Sequence, residues 1–169
     1  MPESLGDERG LVERIVIPTP FGAALEIASA DGRIVASAFV RRRGAIPRAR
    51  AGDRILGEAA AQVKAYLAKR LRRFDLPLHF CGTEMQIAIW RTVASLESGD
   101  LVSYADIARA IGAPGAHRAV ASAMKSAPLD LFVPAHRVIG ADGRLHGAAA
   151  GSMRRKLLTF EGHRTLAKR

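Results

Sequence analysis

The sequence predicts an α+β fold: a small N-terminal sheet-plus-helix domain, residues 1–78, followed by a helical C-terminal domain, residues 79–169, that contains a helix-turn-helix. Three observations carry that prediction. Apolar residues recur at a strand-like period through the first forty positions, the period turns helical from Asp53, and near residues 75–80 the chain passes from strands to helices. With 169 residues and 49% hydrophobic content, the chain can build one ordinary core or two small ones, which excludes disorder as its main state.

The elements follow in order. Val12, Arg14 and Val16 alternate with Glu13, Ile15 and Ile17, a turn is expected over residues 18–22, and ALEIASA and RIVASAFV flank Asp31-Gly32, a hairpin signal. The basic stretch RRRGAIPRAR at 41–50 reads as a solvated linker in preference to a nucleic-acid arm. From Asp53, the residues Leu56, Ala59, Val63, Tyr66, Leu67 and Leu71 share one helical face that should cover the sheet. Thr83 and Gln86 make a capping box for a helix reaching about Leu96, and Ser103 opens another that ends at Gly112. The turn GAPG then leads into the helix AHRAVASAM.

Composition narrows the function classes. No apolar run approaches the ~20 residues needed to span a bilayer, and MPESLGDERG lacks the basic start and apolar stretch of a signal peptide. A cytoplasmic protein with no membrane partner is expected. The single cysteine, Cys81, excludes an internal disulfide, and His117, His136, His146 and His163 lack a metal-ligand spacing, so no metal or cofactor is expected. The net charge of +10 favours a polyanionic partner, nucleic acid before anionic membrane.

Two short helices joined by a Gly-containing turn form the helix-turn-helix pattern, which sets the start of the second helix against a DNA groove. Ala116, Ala119, Ala121, Ser122 and Ala123 leave a second helix whose projecting groups are His117, Arg118 and Lys125. Such a surface can approach a phosphate backbone closely. The same alanines also suit tight packing against a neighbouring helix, and the two uses fit opposite faces.

The segments GTEMQIAIW at 82–90, SYADIARAIGAPGAHRAVASAM at 103–124, VPAHRVIG at 133–140 and FEGHR at 160–164 together resemble O6-alkylguanine-DNA alkyltransferases. The preceding sheet-and-helix segment agrees in length with that family's N-terminal domain. The family's pocket motif is Pro-Cys-His-Arg, whose cysteine accepts the alkyl group, whereas this chain reads Pro134-Ala135-His136-Arg137. By the resemblance Ala135 stands at the acceptor position, where a methyl group cannot form the thiolate that transfer requires.

This pattern resembles the alkyltransferase-like proteins. It implies a non-catalytic monomer that binds double-stranded DNA containing O6-alkylguanine, flips the damaged nucleotide, bends the duplex and passes the lesion to nucleotide excision repair proteins. The resemblance gives Tyr104 the phosphate beside the flipped nucleotide, Arg118 the space vacated in the stack, and His136 with Glu161 the remnant of a proton relay. With no thiol proton to take, His136 is expected to hold the pocket wall by bonding to Glu161. The lesion pocket is expected to comprise Met124, Val133, Pro134, Ala135, Arg137, Val138 and Ala148.

Two positions depart from the family pattern. Ala127, ahead of Pro128, replaces a hinge asparagine, and the loop Gly147-Ala148-Ala149-Ala150-Gly151 lacks the tyrosine that would line the guanine pocket. Three alternatives stand beside lesion binding: an alkyltransferase inactivated by a Cys-to-Ala replacement, transfer to Cys81 in place of the missing thiol, and a general helix-turn-helix DNA binder. For Cys81 the competing expectation is a small buried hydrophobe after an apolar strand. A sequence-specific reader needs several side chains on base edges, and the Ala-rich helix offers few.

Overall fold

A computed structural model of the chain describes residues 12–41, 53–146 and 152–164. Strands β1 (Glu13–Pro18), β2 (Ala24–Ala30) and β3 (Arg33–Val40) form an antiparallel sheet in the order β1-β2-β3. Asp31 and Gly32 both adopt positive φ, 49° and 70°, the backbone that a two-residue hairpin requires and that Asp-Gly tolerates. The expected alternation is not clean in β1: Val12 precedes the strand and is exposed, while Ile15, Val16 and Ile17 are all buried. Both faces of that stretch are covered, which a strict period of two does not anticipate.

Helix α1 (Arg54–Leu67) starts where Asp53 accepts from the Leu56 N–H and from the Ser29 hydroxyl, so the cap also ties the helix to β2. It buries Ile55, Leu56, Ala59, Val63 and Tyr66. Leu71 does not lie on its face. The helix stops at Leu67, Lys69 turns to φ 58°, and Leu71 reaches the core from an irregular segment that keeps the apolar spacing after the helical backbone has ended. The expected basic linker at 41–50 lies outside the described residues beyond Arg41.

Helix α2 (Glu84–Ala94) has the capping box of Thr83 and Gln86 and ends two residues before Leu96. A short strand β4 (Val102–Ser103) runs into α3 (Tyr104–Ala110), which Ser103 and Asp106 cap reciprocally. Gly112, at φ 74°, turns the chain toward α4 (His117–Lys125). A single 3₁₀ turn over Ala135–Arg137 leads into β5 (Val138–Ile139), and α5 (Met153–Phe160) closes the described part.

Strands β4 and β5 pair in parallel, Val102 with Val138 and Ser103 with Ile139. This small pairing matters for the site, because it sets the start of α3 beside the chain that leaves the 3₁₀ turn. The core is continuous across both parts of the chain: Leu25, Ile27 and Ile34 of the sheet, Val63 and Tyr66 of α1, and Ile89, Trp90, Val120, Phe132 and Leu157 belong to one buried apolar cluster. Tyr66 and Phe160 meet with ring centroids 5.3 Å apart, and Phe74 meets Phe132 at 5.0 Å, so aromatic contacts join α1 and its following segment to the C-terminal half. The Ile34 N–H donates to Pro77 and the His79 N–H to Ile34, so the chain around the expected 78/79 boundary is hydrogen-bonded to β3.

Candidate nucleic-acid interface

Helix α4 divides its residues by face. Val120, Ala123 and Met124 are buried, and the Trp90 indole N–H donates to the Ala123 carbonyl at 3.0 Å. His117, Arg118, Ser122 and Lys125 are exposed, with Ala116, Ala119 and Ala121 half-buried between. Arg118 and Lys125 form no hydrogen bond or ion pair among the described residues, in contrast to Arg109, which pairs with Asp106. Ala116 provides no side-chain cap, so the first N–H groups of the helix stay open beside Arg118, while Lys125 stands at the far end of the same exposed face. That combination is suited to phosphate.

Tyr104 occupies the first position of α3, half-buried, and burial raises its phenol above the ordinary range. It borders a pocket of about 340 Å³ together with His117, Gly140, Asp142 and His146. The β4–β5 pairing brings these residues together from three separate stretches.

Behind this surface lies a buried polar network centred on Glu161, whose side chain is fully buried. One carboxylate oxygen accepts from Tyr66 at 2.7 Å, from His136 Nε2 at 2.8 Å and from Arg137 Nη2 at 2.7 Å. The other accepts from Arg137 Nε at 3.0 Å and the Gly99 N–H at 3.2 Å. Arg137 also donates to the Leu96 carbonyl at 2.6 Å. Burial alone would raise the Glu161 carboxyl, but hydrogen bonds from His136 and Arg137 outweigh it and hold the group well below the ordinary carboxylate range. Burial lowers the His136 imidazole, with Glu161 only partly opposing it. A neutral His136 facing an ionised Glu161 must donate through Nε2, so Arg137 is the cation of the network and His136 a neutral donor. Its Nδ1 then keeps a lone pair with no protein partner among the described residues.

A second cavity, of about 260 Å³, adjoins this network. Val133, Ala135 and His136 line it from the 3₁₀ region, Phe39 from β3, and Met153 and Arg154 from α5. Among the residues expected in a pocket, Val133 and Ala135 therefore line this cavity, whereas Met124, Pro134, Arg137 and Val138 do not. Arg137 instead turns its guanidinium to Glu161, because a buried cation needs a carboxylate more than a cavity wall. Met124 is buried and contributes its carbonyl, which accepts from Arg154. Ala148 lies outside the described residues.

The approach to Ala135 is held in an unusual backbone. Leu129 and Leu131 adopt φ of 58° and 73°, a region that costs roughly 1–3 kcal/mol for such residues and needs fixed surroundings. Asp130 between them supplies those surroundings: its N–H donates to the Ser37 carbonyl at 3.0 Å, its carbonyl accepts from the Ser37 hydroxyl at 2.8 Å, and its carboxylate accepts from the Phe39 N–H at 3.1 Å. The N-terminal sheet thus fixes the segment that carries the cavity wall. Ala127 offers no polar side chain to hold this segment, which the clasp to β3 and the Val133 N–H donating to the Leu129 carbonyl restrain.

Cys81 is exposed, against the expectation of a buried hydrophobe, since the chain has left the core before α2 begins at Glu84. It lines neither cavity. Sequence reasoning missed Tyr66, Gly99, Asp130 and Arg154. Tyr66 read only as an apolar face of α1, and no local signal marks a leucine at positive φ or an aspartate that clasps a strand ninety residues away.

Residues 84–163 match the family described as 6-O-methylguanine DNA methyltransferase, DNA binding domain. The methylated-DNA–protein-cysteine methyltransferase of Mycobacterium leprae is 44% identical over 110 residues, 64% of this chain and 67% of its own length. The chain thus spans about two thirds of the length of such curated relatives. Among solved structures, the O6-methylguanine methyltransferase of Mycobacterium tuberculosis matches with a TM-score of 0.75 at 33% identity, covering 91% of this chain and 94% of that one. The OGT of the same organism in complex with DNA matches with a TM-score of 0.70 at 34% identity, over 86% and 90% of the two chains.

Proposed function

The chain belongs to the O6-methylguanine DNA methyltransferase family, and on that premise we propose that it binds duplex DNA carrying O6-alkylguanine and recognises the lesion without accepting its alkyl group. One observation carries this reading: Ala135 lines a cavity directly beside His136, while the His136–Glu161–Arg137 network around it is complete. A methyl group in that position offers no nucleophile. The surroundings of an acceptor are kept and the acceptor is not, which is the pattern of an alkyltransferase-like protein.

Several finer assignments belong to the same proposal. The damaged nucleotide leaves the stack, at a cost of a few kcal/mol in lost pairing and stacking. Arg118, exposed on α4 and unpaired among the described residues, fills the vacated space, and the hydroxyl of Tyr104 meets the neighbouring phosphate. The protein acts as a monomer and hands the marked site to nucleotide excision repair. Support for duplex binding comes from the exposed cations of α4 and from the DNA-bound M. tuberculosis relative.

The test is affinity for matched duplexes containing guanine or O6-methylguanine, across a range of salt. Tighter binding of the methylated duplex is expected, with affinity falling steeply as salt rises because counterions are released from phosphates. Arg118→Ala should lower the preference for the lesion about tenfold, within the ~1–3 kcal/mol typical of a stacking contact. A uniform loss on both duplexes would make Arg118 an ordinary phosphate contact. Equal wild-type affinity for the two duplexes overturns the reading.

A second reading, an inactivated alkyltransferase, is favoured by His136, whose Nδ1 has no hydrogen-bond partner among the described residues and whose side chain lines the same cavity as Ala135. Incubating wild type and Ala135→Cys with methylated duplex and weighing both by mass spectrometry separates the two. Alkyl gain by the variant alone supports a retained relay, and gain by wild type would implicate Cys81.

A further inference from the structure

The extended segment FDLPLHF, residues 74–80, lies along the outer edge of β3. The Ile34 N–H donates to the Pro77 carbonyl at 2.8 Å and the His79 N–H donates to the Ile34 carbonyl at 2.9 Å, a parallel bridge between Ile34 and Leu78. One step earlier, Asp75 is held on both its backbone groups by the Gln62 amide of α1, each bond 2.8 Å long. Residues 75, 77 and 79 thus spend their main-chain groups on the protein. Those of Leu76, Leu78 and Phe80 point the other way, because successive residues of an extended chain face opposite edges, and they form no hydrogen bond among the described residues. Beyond β3 the sheet therefore ends in an open edge. Pro77 does not blunt it, since the N–H that proline lacks belongs on the paired side.

The side chains of the same three residues are half-buried and line a groove of about 290 Å³, together with Phe74, Ala94 of α2 and Phe132. Arg73 and Arg91 also line it. Both are exposed and form no ion pair among the described residues, and the groove holds one carboxylate, Asp75, against them. An apolar floor, an unpaired main-chain edge and two cations thus meet in one place. The groove shares no residue with the cavity at Ala135 or the pocket at Tyr104, and none of its residues lies on α4.

We propose that this edge is a docking site for an extended segment of a partner protein, one that alternates apolar with acidic residues and joins residues 76–80 as an added strand. Main-chain bonds to Leu76, Leu78 and Phe80 supply the affinity, apolar side chains of the segment enter the groove, and its carboxylates meet Arg73 and Arg91. A polypeptide fits this edge better than a nucleic acid does, because it offers donors as well as acceptors in the same alternation, whereas a phosphate has no proton for the open carbonyls. The assignment is independent of lesion recognition. A chain engaged with DNA through α4 keeps this groove available to the partner.

The experiment selects a phage-displayed library of random nonapeptides on the full chain and titrates the enriched sequence, as a synthetic peptide, into nitrogen-15-labelled protein. Enrichment of alternating apolar and acidic residues is expected, with amide shifts centred on Leu76, Leu78 and Phe80 and slower solvent exchange at those three amides. Arg91→Glu should weaken the peptide about tenfold, and a peptide with lysine in place of its acidic residues should recover that loss on the variant. Leu78→Pro removes an N–H from the open edge while the bridge to β3, made by Pro77 and His79, is kept, so binding should be lost. Circular dichroism of that variant reports its folding, and the charge-swap pair decides the matter if it melts early. No enrichment, shifts centred elsewhere, or equal affinity of wild type and Arg91→Glu overturns the proposal. Dimerisation of wild type in sedimentation that Leu78→Pro abolishes would give the edge to a second copy of this chain and overturn it too.

Discussion

Glu161 is where a single side chain decides most. It compensates the buried Arg137, fixes the tautomer of His136 and receives the Tyr66 hydroxyl from α1. Glu161→Gln leaves the Arg137 guanidinium buried without a counter-charge, for which about 3–5 kcal/mol of destabilisation is expected, measurable by urea unfolding near neutral pH. The pH dependence follows from two depressed groups. The His136 imidazole is held below its ordinary 6.5, so the unfolded chain binds that proton first and stability drops as pH falls below about 6.5. The Glu161 carboxyl lies below its ordinary 4.5, so its contribution is complete above 4.5 and is lost as pH falls further. Stability followed by circular dichroism should decline in two stages, and His136→Gln should remove the upper one.

Among the elements, α3 and α4 are stabilised differently. Helix α3 has only seven residues but carries a reciprocal cap, in which Ser103 and Asp106 satisfy each other's ends. Ser103→Ala should cost about 1 kcal/mol in urea unfolding. Because Tyr104 is the next residue, the same variant should also weaken binding of the methylated duplex, whereas a cap that only stabilises would leave affinity untouched in the folded protein. Helix α4 has no such cap and is held through Val120, Ala123 and Met124 against α2 and α3. Its small residues serve both expected uses: Ala123 lets Trp90 approach its carbonyl, and the half-buried Ala119 and Ala121 leave the outer surface low.

For the whole molecule, one apolar cluster and the Tyr66–Glu161 bond link the sheet half to the helical half. The sheet half and the helical half should therefore unfold together. Fluorescence of Trp90, the sole tryptophan, reports the C-terminal part, and far-ultraviolet circular dichroism reports the whole. The two transitions should coincide in urea. Tyr66→Phe, which removes one buried hydrogen bond, should lower the midpoint by an amount matching about 1 kcal/mol while keeping the curves superimposed. Separated transitions would show that the shared cluster does not couple the halves. Among the described residues no helix is long and apolar enough to cross a membrane.

The sequence by itself determined the three N-terminal strands and the helices α1 to α4, the hairpin at Asp31-Gly32, the capping boxes at Thr83 and Ser103, the alanine at position 135 and the exposed cations of α4, but not the short β4–β5 pairing. These are local: period, turn chemistry and caps act within a few residues, so they are written where they act. Only the tertiary structure decided that Leu71 enters the core outside the helix, that Arg137 serves Glu161 and not a cavity, that Asp130 clasps β3, and that His146 faces Tyr104. The last three depend on partners 24 or more residues away in the chain, and a buried charge or an open ring face takes whichever partner the fold delivers.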